Sequence, residues 1–212
     1  MKHKRADIDL SIRELKKDHA FAPLIRRLPK PELTYSTNAF RALTRSIVYQ
    51  QLSGKAAGTI FGRFIALYPQ KNSQKKFPKP EDVLATSLIN LREAGLSNQK
   101  ASYLHDLAAK FVDKTVDPKH FHKMTDAEIS EHVIRVKGIA QWSADMFLIF
   151  ALNRPNVLPT GDLGIQKGAQ LFFKLRTLPK PEKLRKLARP YDGHHTVFSL
   201  YLWKLADEAK KK

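Results

Sequence analysis

One spacing governs almost the whole chain: apolar residues recur at helical intervals, and no segment sustains the strand alternation between hairpin turns that marks a sheet. The chain is therefore expected to be all-α. In "NAFRALTRSIVYQQL", Phe40, Leu43, Ile47 and Val48 fall at i, i+3, i+7 and i+8, the pattern of one buried helix face. Ser53 or Gly54 opens the next helix, "KAAGTIFGRFIALY". The basic, turn-forming stretch "PQKNSQKKFPKPED" reads as a surface loop, and helices resume in "PEDVLATSLINLREAG". Ser97 is placed to N-cap "NQKASYLHDLAAKFV", and Thr125 with Glu128 has the spacing of a capping box opening "AEISEHVIRV". Gly138 then ends one helix, and an apolar helix restarts after a very tight turn. The segments "GDLGIQKGAQLFFKL", "KPEKLRKLARP" and "HTVFSLYLWKLADEA" supply three more.

Charge narrows the partner. Lys and Arg number 38 against 20 Asp and Glu, a formal net charge of +18, so a polyanion is the natural ligand, with nucleic acid ahead of an anionic membrane. No run approaches the roughly 18 to 20 consecutive apolar residues needed to cross a bilayer. The N-terminal "MKHKRADIDL" lacks the apolar segment of a secretory signal. Cys is absent, which excludes disulfides, thiolate zinc sites, four-Cys iron–sulfur clusters and thiol nucleophiles. An intracellular protein is expected. His120 with His122, and His194 with His195, have neither the HExxH pattern nor Cys partners, so no catalytic metal is expected. "SGKAAGT" is no Walker loop, because Ala56 stands where Ser or Thr is required.

Two stretches carry candidate chemistry. The tight hairpin in "VKGIAQWSADMF" leaves backbone N–H groups unpaired at the start of its second helix, which suits a phosphate. In "LPTGDLGIQKG" a lone acid, Asp162, sits between two glycines, where local rules make it an N-cap. Four motifs in chain order, "RSIVYQQLSGKAA", "AGLSNQKASYLHDLA", "VKGIAQWSADMFLIFAL" and "VLPTGDLGIQKG", together resemble the helix-hairpin-helix (HhH-GPD) DNA glycosylases. The likeness is to the 3-methyladenine-DNA glycosylase II group, and within it to the small fungal alkylbase-DNA-glycosylase-like proteins. It runs from about Ala39 to Trp203.

The resemblance implies two helical subdomains flanking a DNA-binding cleft. Residues 36–155 would form one, with the hairpin at 134–146, and residues 1–35 plus 156–212 the other. It makes Asp162 the catalytic carboxylate, which stabilises an oxocarbenium-like transition state or orients the attacking water. Gln51 and Leu52 match the wedge that fills the gap left by a flipped nucleotide. Ser53, Lys55, Lys100 and the hairpin's Gly138 and Ala140 are the implied phosphate ligands. Trp142 stands where lyase-competent branches carry a Schiff-base lysine, which implies a monofunctional site. Its ring is a candidate to stack on the extruded base, and Tyr191 is a second pocket aromatic. The backbone carbonyls of Ile134, Val136 and Ile139 form a candidate site for Na or K, and no other cofactor is required. The implied partner is double-stranded DNA with an alkylated base or abasic site, bound by a monomer in the nucleus.

Two departures bear on activity. The family's Gly-hydrophobic-Gly hairpin is here Gly138-Ile139-Ala140, and the Cβ of Ala140 narrows the approach of backbone to phosphate. In "ARPYDGHHTVFSLYLW", Asp192 follows Tyr191 where an Arg is expected, and "GHH" reads as a local insertion beside the pocket. Two functions are therefore carried forward. One is hydrolysis of the N-glycosidic bond of alkylated purines such as 3-methyladenine; the other is binding of abasic or damaged DNA with weak or no excision.

Overall fold

The computed structural model describes residues 5–68 and 77–210. The first four basic-rich residues, most of the expected surface loop (69–76) and the last two lysines lie outside the described residues. Among the described residues the fold is all-α, with helices joined by turns and no strand.

The chain divides into two compact units, Met1–Tyr35 with Leu148–Lys212, and Ser36–Phe147. The terminal unit holds α1 (Ile8–Leu15) and α2 (Ala22–Arg27). The central unit holds α3 (Ala39–Tyr49), α4 (Gly54–Ala66), α5 (Pro80–Ala85), α6 (Leu88–Glu93), α7 (Asn98–Val112) and α8 (Asp126–Ile134). Helix α9 (Gln141–Phe150) starts in the central unit, and α10 (Leu163–Phe172), α11 (Pro181–Ala188) and α12 (His195–Ala209) complete the terminal one.

Capping fixes most helix starts of the central unit. Ser53 and Ser97 accept the N–H groups of Ala56 and Lys100, and Thr125 and Glu128 close a reciprocal capping box. The stretch after the loop breaks into two short helices because Ser87 caps a new start through Asn90 N–H. A 3-10 turn at Pro118–Lys123, capped by Asp117, has no counterpart in the sequence expectation. Phe40, Leu43, Ile47 and Val48 of α3 are all buried, and α7 packs against α3, α5 and α6.

In the terminal unit the fully buried Phe21 lies 5.1 to 5.7 Å from the rings of Phe172, Tyr191, Phe198 and Tyr201. Helices α10 and α12 touch closely at Gly168, where a Cβ would lie 2.1 Å from the Leu202 carbonyl oxygen. No helix among the described residues is long and apolar enough to cross a membrane.

Candidate active site and nucleic-acid interface

Asp162 sits at the N-cap of α10 with extended backbone (φ −76°, ψ 126°). Its Oδ1 accepts the Ile165 N–H at 2.8 Å and the Trp203 indole N–H, from α12, at 2.7 Å. Below this turn Gln166 donates from its side chain to the Thr160 carbonyl at 2.9 Å. Gly164 makes the indole bond possible, since a Cβ there would lie 2.8 Å from Trp203 Cδ1 and 3.0 Å from Asp162 Oδ1. Trp203 also stacks on Phe150, with ring centroids 5.9 Å apart. The carboxylate is thus both a cap and a group held in one place, with a backbone and an indole dipole aimed at the same oxygen.

The turn expected to serve as the wedge and the hairpin both lie in the central unit. Helix α3 ends at Tyr49; Gln50 leaves helical geometry, and Gln51 takes the left-handed region at φ +55°. Leu52 is exposed, as are Gln51, Ser53 and Lys55. The Lys100 ammonium, from α7, donates to the carbonyls of Val48 (2.8 Å) and Gln50 (2.7 Å). Burial lowers its pKa from the ordinary lysine value. The Gln50 side chain donates to the Gly138 carbonyl at 2.8 Å, tying the wedge turn to the hairpin. Gly138 has φ +82°, and a Cβ on it would lie 2.1 Å from the Tyr103 ring. Asp106, a turn further along α7, accepts the Lys137 N–H at 2.8 Å and the Lys110 ammonium at 2.7 Å. Burial alone would raise its carboxyl, but those two hydrogen bonds and the lysine charges outweigh it and hold the pKa below the usual aspartate value. Gln50, Gln51, Leu52, Ser97, Gln99, Lys100, Tyr103 and Gly138 line a cavity of about 370 Å³.

The remaining expected residues sort as follows. Trp142 is exposed on the first turn of α9, and Ala140 is exposed just before it. Val136 and Ile139 are buried, and the Val136 carbonyl accepts the Ile139 N–H at 3.1 Å, which uses one of its two lone pairs. Among the described residues no three His, Asp or Glu side chains are grouped to hold a metal ion.

Tyr191 is placed differently from the expectation of a pocket aromatic. It is a core residue, 5% exposed, stacked on Phe198 at 4.3 Å with its hydroxyl donating to Asp18 at 3.1 Å. Burial and the Asp18 charge push its pKa well above the ordinary tyrosine value. The "DGHH" segment is a braced turn. Asn156 donates to Asp192 at 2.9 Å and accepts the Gly193 N–H at 2.8 Å, with Gly193 at φ +81°. Sequence reasoning missed Trp203, Gln50, Tyr103 and Asp106. Each acts on a residue far away in the chain, and no local motif signals that.

Residues 44–191 match the model of the HhH-GPD superfamily of base excision DNA repair proteins. The chain belongs to that family. The alkylbase DNA glycosidase-like protein mag2 of Schizosaccharomyces pombe is 29% identical to it over 206 residues, covering 96% of this chain and 93% of the relative. A DNA-3-methyladenine glycosidase from Bacillus halodurans superposes with a TM-score of 0.82 at 29% identity, covering 100% of this chain and 95% of that one. The 3-methyladenine DNA glycosylase Mag1 of S. pombe, solved in complex with abasic DNA, gives a TM-score of 0.77 at 26% identity, covering 92% and 95%. The family match ends at Tyr191, so Trp203 lies beyond it.

Proposed function

We propose that the protein is a monofunctional DNA glycosylase that flips an alkylated purine such as 3-methyladenine out of the duplex and hydrolyses its N-glycosidic bond. The observation that carries this reading is the Asp162 carboxylate, pinned through Oδ1 by Ile165 and Trp203 in a member of a base excision repair family. As the glycosidic bond lengthens, its electron pair leaves with the base and positive charge builds on the sugar. A carboxylate already fixed in place stabilises that charge without reorganising. Water then adds at the anomeric carbon and passes one proton to the Asp162 carboxylate, which returns it to solvent. An alkylated base that is already cationic departs neutral, so little acid catalysis is needed.

The other roles follow. Leu52 and Gln51 wedge into the gap, and Ser53, Lys55, Gly138 and Ala140 grip the phosphates, whereas Lys100, expected as a further phosphate ligand, spends two of its three N–H donors on the Val48 and Gln50 carbonyls. Trp142, in the place of a Schiff-base lysine, stacks on the extruded base and leaves no β-lyase step. The neutral carbonyl oxygens of Ile134, Val136 and Ile139 would hold a Na or K ion, which would add a positive charge beside a bound phosphate. The place of action is the nucleus.

A second reading, a binder of abasic DNA with little excision, is favoured by Tyr191, which lies in the core and leaves one pocket aromatic fewer. Asp162→Asn separates the two, because Asn keeps an oxygen that accepts from Ile165 and Trp203 but loses the charge. Excision of 3-methyladenine from duplex should fall at least about 100-fold, with binding to an abasic-site analogue retained. Equal excision by both forms would sink the enzymatic role of Asp162. Tight abasic binding with no excision by the wild type would establish the second reading.

A further inference from the structure

Lys100 is spent on the backbone in a way that a solvated phosphate ligand is not. Two of its three N–H donors go to the Val48 and Gln50 carbonyls, at 2.8 and 2.7 Å. These are C-terminal carbonyls of α3 with no acceptor role inside the helix, and a cation there also meets the negative end of the helix dipole. The very next residue, Gln51, is held at φ +55°, a conformation that costs a non-glycine residue free energy unless its surroundings over-determine it. Gln50, between the two, donates to the Gly138 carbonyl 2.8 Å away, and Gly138 lies under the Tyr103 ring of the same helix that bears Lys100. One helix, α7, therefore fixes the wedge turn through Lys100 and the hairpin through Tyr103, and Gln50 joins the two.

We propose that Lys100 is a positioning residue that sets the wedge turn Gln50–Leu52 and, through Gln50, registers it against the hairpin glycine, so that wedge insertion and phosphate seating occur as one event. The role rests on the reading of this face as a DNA grip. It differs from a direct phosphate contact, which needs no bond to α3. The lowered pKa of Lys100 agrees with an ammonium enclosed by protein.

The test measures binding of the full chain to two duplexes of one sequence, one intact and one with an abasic-site analogue. The variants are Lys100→Met, Gln50→Leu and Leu52→Ala, and the double variants of each of the first two with Leu52→Ala. Lys100→Met should weaken abasic binding about tenfold, the scale of losing a charge-assisted hydrogen bond, and leave intact-duplex binding within about twofold, the level of an exposed side chain. In the Leu52→Ala background it should do nothing further, because the wedge it positions is gone. Gln50→Leu, which leaves the lysine bonds in place, should give a smaller loss of the same selective kind. This second variant keeps the idea testable if Lys100→Met folds poorly.

Equal losses on both duplexes, with the slope of log affinity against log salt reduced by about one, would assign Lys100 to a phosphate and overturn the proposal. Losses that persist in the Leu52→Ala background would reduce it to general stability and overturn it too. A wild type that binds both duplexes alike would instead defeat the DNA-grip reading, and the positioning role with it.

Discussion

Gly164 beside Asp162 and Gly138 in the hairpin each leave room for an aromatic ring, but they do so under different constraints. At Gly164 the backbone is helical, and side chains alone crowd a would-be Cβ: Trp203 Cδ1 at 2.8 Å and Asp162 Oδ1 at 3.0 Å. At Gly138 the Tyr103 ring stands 2.1 Å away and φ is +82°, so sterics and backbone both forbid it. The space beside the acid is therefore taken up by side chains, whereas the hairpin is shaped by the chain itself. A carboxylate crowded by side chains can be retuned by replacing one of them, while a tight turn at positive φ has its geometry written into the backbone.

The largest expected effect tests the hairpin half of this contrast. Gly138→Ala should cost about 3 kcal/mol or more, from the clash with Tyr103 and the left-handed backbone together. Measured by denaturant midpoint, a Tyr103→Ala background should relieve only the clash, leaving about 1 kcal/mol of backbone strain. Complete relief would break the distinction. Gly164→Ala should cost less, about 1 to 2 kcal/mol, by pushing the indole off Asp162, and excision should fall with it. In a Trp203→Leu background most of that cost should vanish, leaving only the close approach to Asp162 Oδ1, offset by the better helix propensity of alanine. A full cost that survives the loss of the ring would mean that the indole is not what crowds the turn.

What the sequence could reveal follows the same division. The helix starts at Ser53, Ser97 and Thr125 were legible because a cap bonds within three residues of itself. Asp162 as a cap was legible for that reason, and the turns after α3 and at Gly138 were legible as breaks in helical periodicity. The groups that hold them were not. Trp203 is 41 residues from Asp162 and Gln50 is 88 from Gly138, and no spacing rule reaches so far. Lys100 reads as a phosphate ligand by resemblance, and nothing in the sequence signals its two carbonyl partners. Tyr191 misled because an aromatic in a motif has the same letter whether its ring faces a ligand or stacks on Phe198.

The smallest expected effect is at Asp106, which braces the hairpin through the Lys137 N–H and also pairs with the Lys110 ammonium. Asp106→Asn keeps an acceptor for Lys137 and loses the charge pair, a cost of about 1 kcal/mol at neutral pH. Because the folded-state pKa of Asp106 lies below its ordinary value, the wild type's contribution is complete above the unfolded aspartate pKa, about 4, and is lost as pH falls through the lower folded value. Asn has no proton to take up there. Other carboxylates held low, such as Asp9 and Asp113, are common to both proteins and cancel in the difference. The stability gap between wild type and Asp106→Asn should therefore narrow below pH about 4, as followed by urea titration at several pH values. A gap that stays constant or widens on acidification would mean that the hairpin is braced by the backbone bond alone, and that the Lys110 charge contributes nothing to holding it.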